Sequence, residues 1–111
     1  MSTVTAVQMV APQAMLGSDA SYFKCPASTT AKIGRAIFYN SDSLVHTITV
    51  NVTTGGGATT PTTLLVRSVA PGETYVSPEL AGVVIPPISE LRGTCDTTAV
   101  VNIEVSGVTI V

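Results

Sequence analysis

Apolar and polar residues alternate with a period of two along His46-Thr47-Ile48-Thr49-Val50-Asn51-Val52, placing Ile48, Val50 and Val52 on one face and Thr47, Thr49 and Asn51 on the other. That is the pattern of a β-strand with one face buried. The C-terminal segment repeats it, with Val101, Ile103 and Val105 facing in and Asn102, Glu104 and Ser106 facing out. Gly107 breaks the pattern as a bulge or bend does, and Val108-Thr109-Ile110-Val111 resumes it. Ala31 to Tyr39 reads as a longer strand, apolar on both faces around Ile37 and Phe38, which suits a central position covered on each side. Thr63 to Val69 is a further strand, followed by the turn Ala70-Pro71-Gly72-Glu73 and a short strand Thr74-Tyr75-Val76. Val83-Val84-Ile85 and Leu91-Arg92-Gly93 supply two more.

Turn residues recur every ~8–12 positions and no segment holds helical spacing for more than a turn. Threonine and valine, both β-branched strand formers, dominate the composition. The expected fold is all-β, an antiparallel sandwich of jelly-roll or Greek-key type with about 7–8 strands and almost no helix. A chain of 111 residues has room for one core. The expected domain is residues 20–111, preceded by residues 1–19 as either a first strand or an arm laid on a neighbouring subunit. Pro12 and the Gly17-Ser18-Asp19 turn interrupt that N-terminal segment. Thr53 to Pro61, with Gly55-Gly56-Gly57 at its centre, reads as a low-complexity connection between strands.

Charge changes the picture more than hydropathy does. Only 11% of residues are charged, against ~25% in typical soluble domains. A monomer depends on surface charge for solubility, so so weak a charge predicts a surface largely covered in the working state. No basic cluster is present to neutralise phosphates, which argues against nucleic-acid binding. The longest apolar run, Ala81 to Ile85, ends at Pro86-Pro87, far short of the ~20 residues that cross a bilayer as a helix, so no membrane association is expected. The N-terminus has neither the basic region nor the apolar stretch of a secretory signal, which predicts use without export. On that expectation the sequon Asn51-Val52-Thr53 is idle, and Asn51 is an ordinary solvent-facing strand residue.

Catalytic chemistry finds little purchase. His46 is the single histidine, and it opens a strand beside Asp42-Ser43. Residues so close across one turn do not reproduce a nucleophile, base and orienting acid, and no nucleophile elbow is nearby. The seven carboxylates are scattered singly and form no calcium-loop series. Gly55-Gly56-Gly57 is followed by Ala58-Thr59-Thr60-Pro61 instead of the Lys-Ser/Thr of a phosphate loop. Cys25 and Cys95 are expected as free thiols, and one histidine without a C-x-x-C pair is too few ligands for zinc. The expectation is a non-enzymatic protein with no cofactor and no metal.

The run Cys25-Pro26-Ala27-Ser28-Thr29-Thr30-Ala31, a strand ending in Tyr39-Asn40-Ser41, and then Ile48-Thr49-Val50-Asn51-Val52 resembles the small β-sandwich virion proteins of tailed bacteriophages. The likeness continues through Leu64-Leu65, Ala70-Pro71-Gly72-Glu73-Thr74 and Val100 to Val108, and covers about residues 20–111. Where that family has a Gly-Asp turn after a leucine, this chain has Ile85-Pro86-Pro87-Ile88-Ser89-Glu90-Leu91, stiffened by two prolines. The resemblance implies a virion component assembled in the host cytoplasm. Its leading form is a capsid decoration (cement) protein that binds the major capsid protein across subunit joints and stabilises the shell. Homo-oligomers are expected, with trimers favoured by matching to local three-fold positions. The interface candidates are Val4, Val7, Met9, Val10, Met15 and Leu16, then Ile85, Pro86, Pro87 and Ile88. A neck, tail or fibre-base protein of the same fold is the first alternative. A carbohydrate-binding sandwich is the second, although the chain has no tryptophan and few aromatics to stack on sugar rings.

Overall fold

The computed structural model describes residues 3–54 and 60–111. Nine strands run through them: β1 (Val4–Ala14), β2 (Ala20–Lys24), β3 (Thr30–Asn40), β4 (His46–Thr54), β5 (Thr60–Val69), β6 (Thr74–Val76), β7 (Val84–Ile85), β8 (Glu90–Cys95) and β9 (Val101–Ile110). Among the described residues there is no helix. The centre of the expected glycine-rich connection, residues 55–59, lies outside the described residues, while Thr53-Thr54 and Thr60-Pro61 close the β4–β5 ladder on either side.

The pairings are nested. β4 pairs with β5, β3 with β6, β2 with β8 and β1 with β9, all antiparallel, as if the whole chain were one long hairpin turning between β4 and β5. Rolling that hairpin brings β9 against β3 and β8 against β4. The result is two sheets, β1-β9-β3-β6 and β2-β8-β4-β5, the connectivity of a jelly roll. Two-residue β7 does not disturb it. It lies on the same side of β3 as β6, pairing Ala31 and Lys32 where β6 pairs Ile37 to Tyr39. β6 and β7 are thus two halves of one edge strand, and the turn between them sends Leu80 into the core.

The inward faces close over one another in a module 49 × 27 × 19 Å. Ala31, Ile33, Ala36 and Phe38 of β3 and Val101, Ile103 and Val105 of β9 meet Ile48, Val50 and Val52 of β4 and Leu91 of β8. The alternation in β4 and β9 therefore faces as the sequence pattern requires. For β3 the expected cover on both faces is corrected: Lys32, Arg35 and Tyr39 on its outer side are exposed and Ile37 is only half-buried. Residues Val4 to Ala14 are hydrogen-bonded to β9 as an edge strand of the first sheet.

The irregularity expected at Gly107 falls on its partner strand. β9 runs straight through Gly107, and the register slips between Ile33 and Arg35 opposite it, leaving Gly34 as the extra residue of a bulge. Gly107 is needed because the backbones close up there: a Cβ would collide with the Lys32 carbonyl and lie 3.0 Å from Met9 Sδ.

The two ends of the sandwich carry different loops. At one end lie residues 15–19, 41–45, 70–73 and 96–100, stitched by Cys95 N–H to Leu16 C=O (3.0 Å), Ala99 N–H to Met15 C=O (3.0 Å) and Ser41 N–H to Val100 C=O (2.9 Å). At the other lie 25–29, 86–89 and the start of β1 beside the end of β9, where Thr3 and Val111 exchange two backbone bonds of 2.9 Å.

Candidate functional site

His46 begins β4 at the first of these ends, is 6% exposed, and is held at both ring nitrogens. Nδ1 lies 2.7 Å from Asp96 Oδ1 and Nε2 lies 2.7 Å from Asp42 Oδ2. Carboxylates only accept, so each nitrogen must donate and the ring is an imidazolium. The Asp42 bond, then the Asp96 bond, raise the His46 pKa above its ordinary value. Asp42 is lowered by its bond to His46 first, and Asp96 by the Thr47 backbone N–H first and His46 next. A ring that has spent both nitrogens on carboxylates has no lone pair to take a proton from a nucleophile. Ser43 gives its backbone N–H to Asp42 Oδ1 at 2.7 Å, on the side of the carboxylate away from the ring. The two aspartates sit on opposite sides of the ring, so the three groups do not converge on one point where a metal ion would sit. The arrangement does structural work: it ties the β3–β4 turn to the β8–β9 turn.

Cys25 and Cys95 are buried, unpaired and at opposite ends. Cys25 N–H bonds to Ser89 C=O, and Cys95 is six residues farther along the same strand direction, about 20 Å away at the ordinary strand rise. A disulfide needs Cα atoms within ~7 Å. Burial pushes both thiols up.

The interface candidates divide. Met9, Val10, Met15 and Ile85 are core residues and leave the list, because their side chains fill the space between the sheets. Val7 is half-buried against that core. Val4 (62% exposed), Leu16 (46%) and Ile88 (42%) face solvent, as do Pro86 and Pro87. They do not form one patch. Leu16 lies at the His46 end, as do exposed Leu44 and Val45, whereas Val4 and Pro86 to Ile88 lie at the other.

Ile88 is the most unusual of them. Ser89 N–H bonds back to Pro86 C=O at 3.2 Å, and Ile88 has φ of +60°. Pro87 and Ile88 therefore occupy the central positions of a type II turn, whose third residue is normally glycine. A β-branched residue there is strained, and its apolar side chain is turned to water as well.

The two outer sheet faces differ. The β2-β8-β4-β5 face presents Thr47, Thr49, Thr63 and Thr94 with exposed Val66 among them, and Arg92 bonded to Asp19 (2.8 Å) and Glu90 (3.2 Å). The β1-β9-β3-β6 face exposes Val4, Tyr39, Val76 and Val84. A shallow depression on it is lined by Pro12, Ile37, Tyr39, Asn102, Ile103 and Glu104.

In fold the chain is similar to solved structures of infectious bursal disease virus. A chain of the Gx strain structure superposes with a TM-score of 0.56 at 13% identity, covering 100% of this chain and 32% of that one. A chain of the T13 viral particle gives 0.54 at 14%, covering 98% and 30%. A chain of the VP2 subviral particle gives 0.51 at 16%, covering 98% and 32%. This chain thus spans about a third of each of those chains, and at such identities the likeness is one of fold. No protein-family description and no curated protein sequence matches the chain.

Two features of the surface escaped the sequence. Asn51 points to the outer face as expected but is buried there, accepting from Thr53 Oγ1 at 3.1 Å beside Asp19. The strained turn at Ile88 has a visible signal, Pro-Pro followed by a residue in the position where glycine is usual. That signal marks the turn, and the strain is disclosed by the backbone angle.

Proposed function

We propose that this chain is a non-enzymatic structural protein of a virion, of the capsid decoration type, packed against the major capsid protein of a tailed bacteriophage and stabilising the shell. The observation that carries this reading is the jelly-roll connectivity over the whole chain, a fold it shares with chains of solved virus particles. Three further observations support it. The low charge suits a surface meant to be covered. The single histidine is consumed as a structural cation. The motifs from Cys25 to Val108 resemble tailed-phage sandwich proteins in order and spacing. Shell stabilisation requires an interface of at least ~1,000 Å² per contact, and the end bearing Pro86, Pro87 and Ile88 is the proposed contact, since strain kept at an exposed apolar tip has no folding benefit.

Imaging of purified particles tests the proposal. Hundreds of copies over the shell are expected. About a dozen copies in a ring at one vertex would make the chain a neck or tail protein, by the symmetry of such rings. Absence from particles would overturn the virion assignment.

One observation favours a second reading, a carbohydrate-binding module. Tyr39 is 41% exposed beside Asn102 and Glu104, an aromatic face with polar groups next to it. Reproducible glycan-array binding that Tyr39→Ala abolishes would support it.

A further inference from the structure

A jelly roll leaves open sheet edges, and proteins blunt such edges with short strands, bulges, charges or proline. Three of the four edges here are managed in that way. β2 is five residues long, slips register between Ser21 and Phe23 and ends in Lys24. β5 carries Pro61, Arg67 and a register shift opposite Val50 and Asn51. β6 and β7 have three and two residues. The fourth edge, β1, is treated unevenly. Its second half holds Pro12 and two register shifts, after Gln8 and after Val10. Its first half, Val4 to Gln8, runs in unbroken register with Ile110 to Ser106 and has no charge, no proline and no bulge.

Backbone geometry fixes which groups this half presents. Thr3 and Val111 exchange both hydrogen bonds. In an antiparallel ladder such pairs alternate with pairs that exchange none. Thr5 and Val7 therefore also point their N–H and C=O groups at β9, and Val4, Ala6 and Gln8 point theirs outward, where the strand order shows no neighbour.

We infer that the first half of β1 is a self-association edge, at which Val4 to Gln8 of one copy pairs antiparallel with Val4 to Gln8 of a second copy about a two-fold axis through Ala6. The register matches every free group: Ala6 exchanges both bonds with Ala6 of the second copy, and Val4 does so with Gln8 of the second copy. The segment is compatible with itself because it carries no charge that would meet its own sign. For the same reason it offers nothing to a charged partner. The pairing joins two β1-β9-β3-β6 sheets into one, brings Val4 out of water and continues the apolar rows of Val4 with Ile110 and Ala6 with Val108. It is two-fold, in place of the trimer that symmetry matching alone favours, and it stands independently of the virion assignment. A five-residue ladder is smaller than a standard interface, so the dimer belongs in the micromolar range or weaker.

Sedimentation of the full chain from micromolar to millimolar concentration tests it, together with amide exchange. A concentration-dependent dimer is expected, with the Val4, Ala6 and Gln8 amides becoming protected as it forms. Ala6→Pro removes only an outward N–H, a position where edge strands accept proline, so it should weaken the dimer at least about tenfold while leaving the melting temperature nearly unchanged. Ala6→Lys and Ala6→Glu should each be monomeric, and an equimolar mixture should restore a dimer. A wild-type chain that stays monomeric at millimolar concentration, a dimer that survives Ala6→Pro, or Ala6 variants whose mixture behaves as each does alone would overturn the inference. A monomer that instead captures a strand of another virion protein through β1 would overturn it as well.

Discussion

His46 and Asp96 are fifty positions apart in the chain and share a 2.7 Å hydrogen bond, while the next residue, Thr47, gives its backbone N–H to the other oxygen of the same carboxylate at 2.9 Å. Asp96 therefore grips the start of β4 twice. Asp42 completes the arrangement from the preceding turn, so that one buried cation and two carboxylates hold together the loops that enter and leave the centre of the sandwich.

This geometry gives stability a defined pH window. The His46 pKa is raised in the folded chain, so its contribution is complete below the unfolded value of about 6.5 and is lost as pH rises through the folded value. The pKa values of Asp42 and Asp96 are lowered, so theirs is present above about 3.9 and is lost as pH falls through the folded values. Thermal unfolding followed by circular dichroism should give the highest melting temperature between these limits. His46→Gln should lower it most near pH 6 and progressively less toward pH 9. A wild-type and variant difference independent of pH would show that the ring is not charged.

Asn40 closes β3 at the same end with every polar group used. Its side-chain N–H groups donate to Leu44 C=O (2.8 Å) and Val69 C=O (2.9 Å), and its Oδ1 accepts from Asp42 N–H (2.9 Å). Asn40→Ala leaves two carbonyls without this donor in a buried site, at a cost of about 2–4 kcal/mol. Asn40→Asp should be no better, since a carboxylate cannot donate to either carbonyl. Urea unfolding midpoints of the three chains check this.

The strands that carry their own pattern were legible. β4 and β9 alternate because one face packs on the opposite sheet and the other carries polar residues, and β6 sits between a Pro-Gly turn and Ser77-Pro78. β2 was not, because Ala20-Ser21-Tyr22-Phe23-Lys24 is a short edge strand with a bulge, and its two aromatics are half-buried on no simple period. The interface candidates misled at Met9, Val10, Met15 and Ile85 for a related reason. An apolar residue looks the same in sequence whether it fills a core or waits for a partner, and only the packing of the two sheets separates the cases. Truncating residues 1–16 would therefore remove core as well as surface, and single substitutions are the sharper tool.

The cysteines give a prediction of the opposite kind, in which nothing should form. Both thiols are buried and far apart, and burial holds their pKa values up. A thiol reagent should react slowly with the native chain and should count two thiols per chain after denaturation. Mobility on a denaturing gel should be the same with and without reductant.

Ile88 sets folding against function. Glycine is the residue that a positive φ favours, so Ile88→Gly should relieve strain of order 1–3 kcal/mol, offset in part by about 1 kcal/mol of added chain entropy. Ile88 is 42% exposed, so the packing of the covered part of its side chain is also lost. These opposing effects nearly cancel, and the expected melting temperature is close to that of the wild type. If this tip is what the chain presses against a capsid, the same substitution should reduce occupancy on particles in a sedimentation assay, and Leu16→Ser at the opposite end should leave occupancy unchanged. Full occupancy with Ile88→Gly would remove the 86–89 turn from the contact. Loss with Leu16→Ser alone would move the contact to the His46 end of the sandwich.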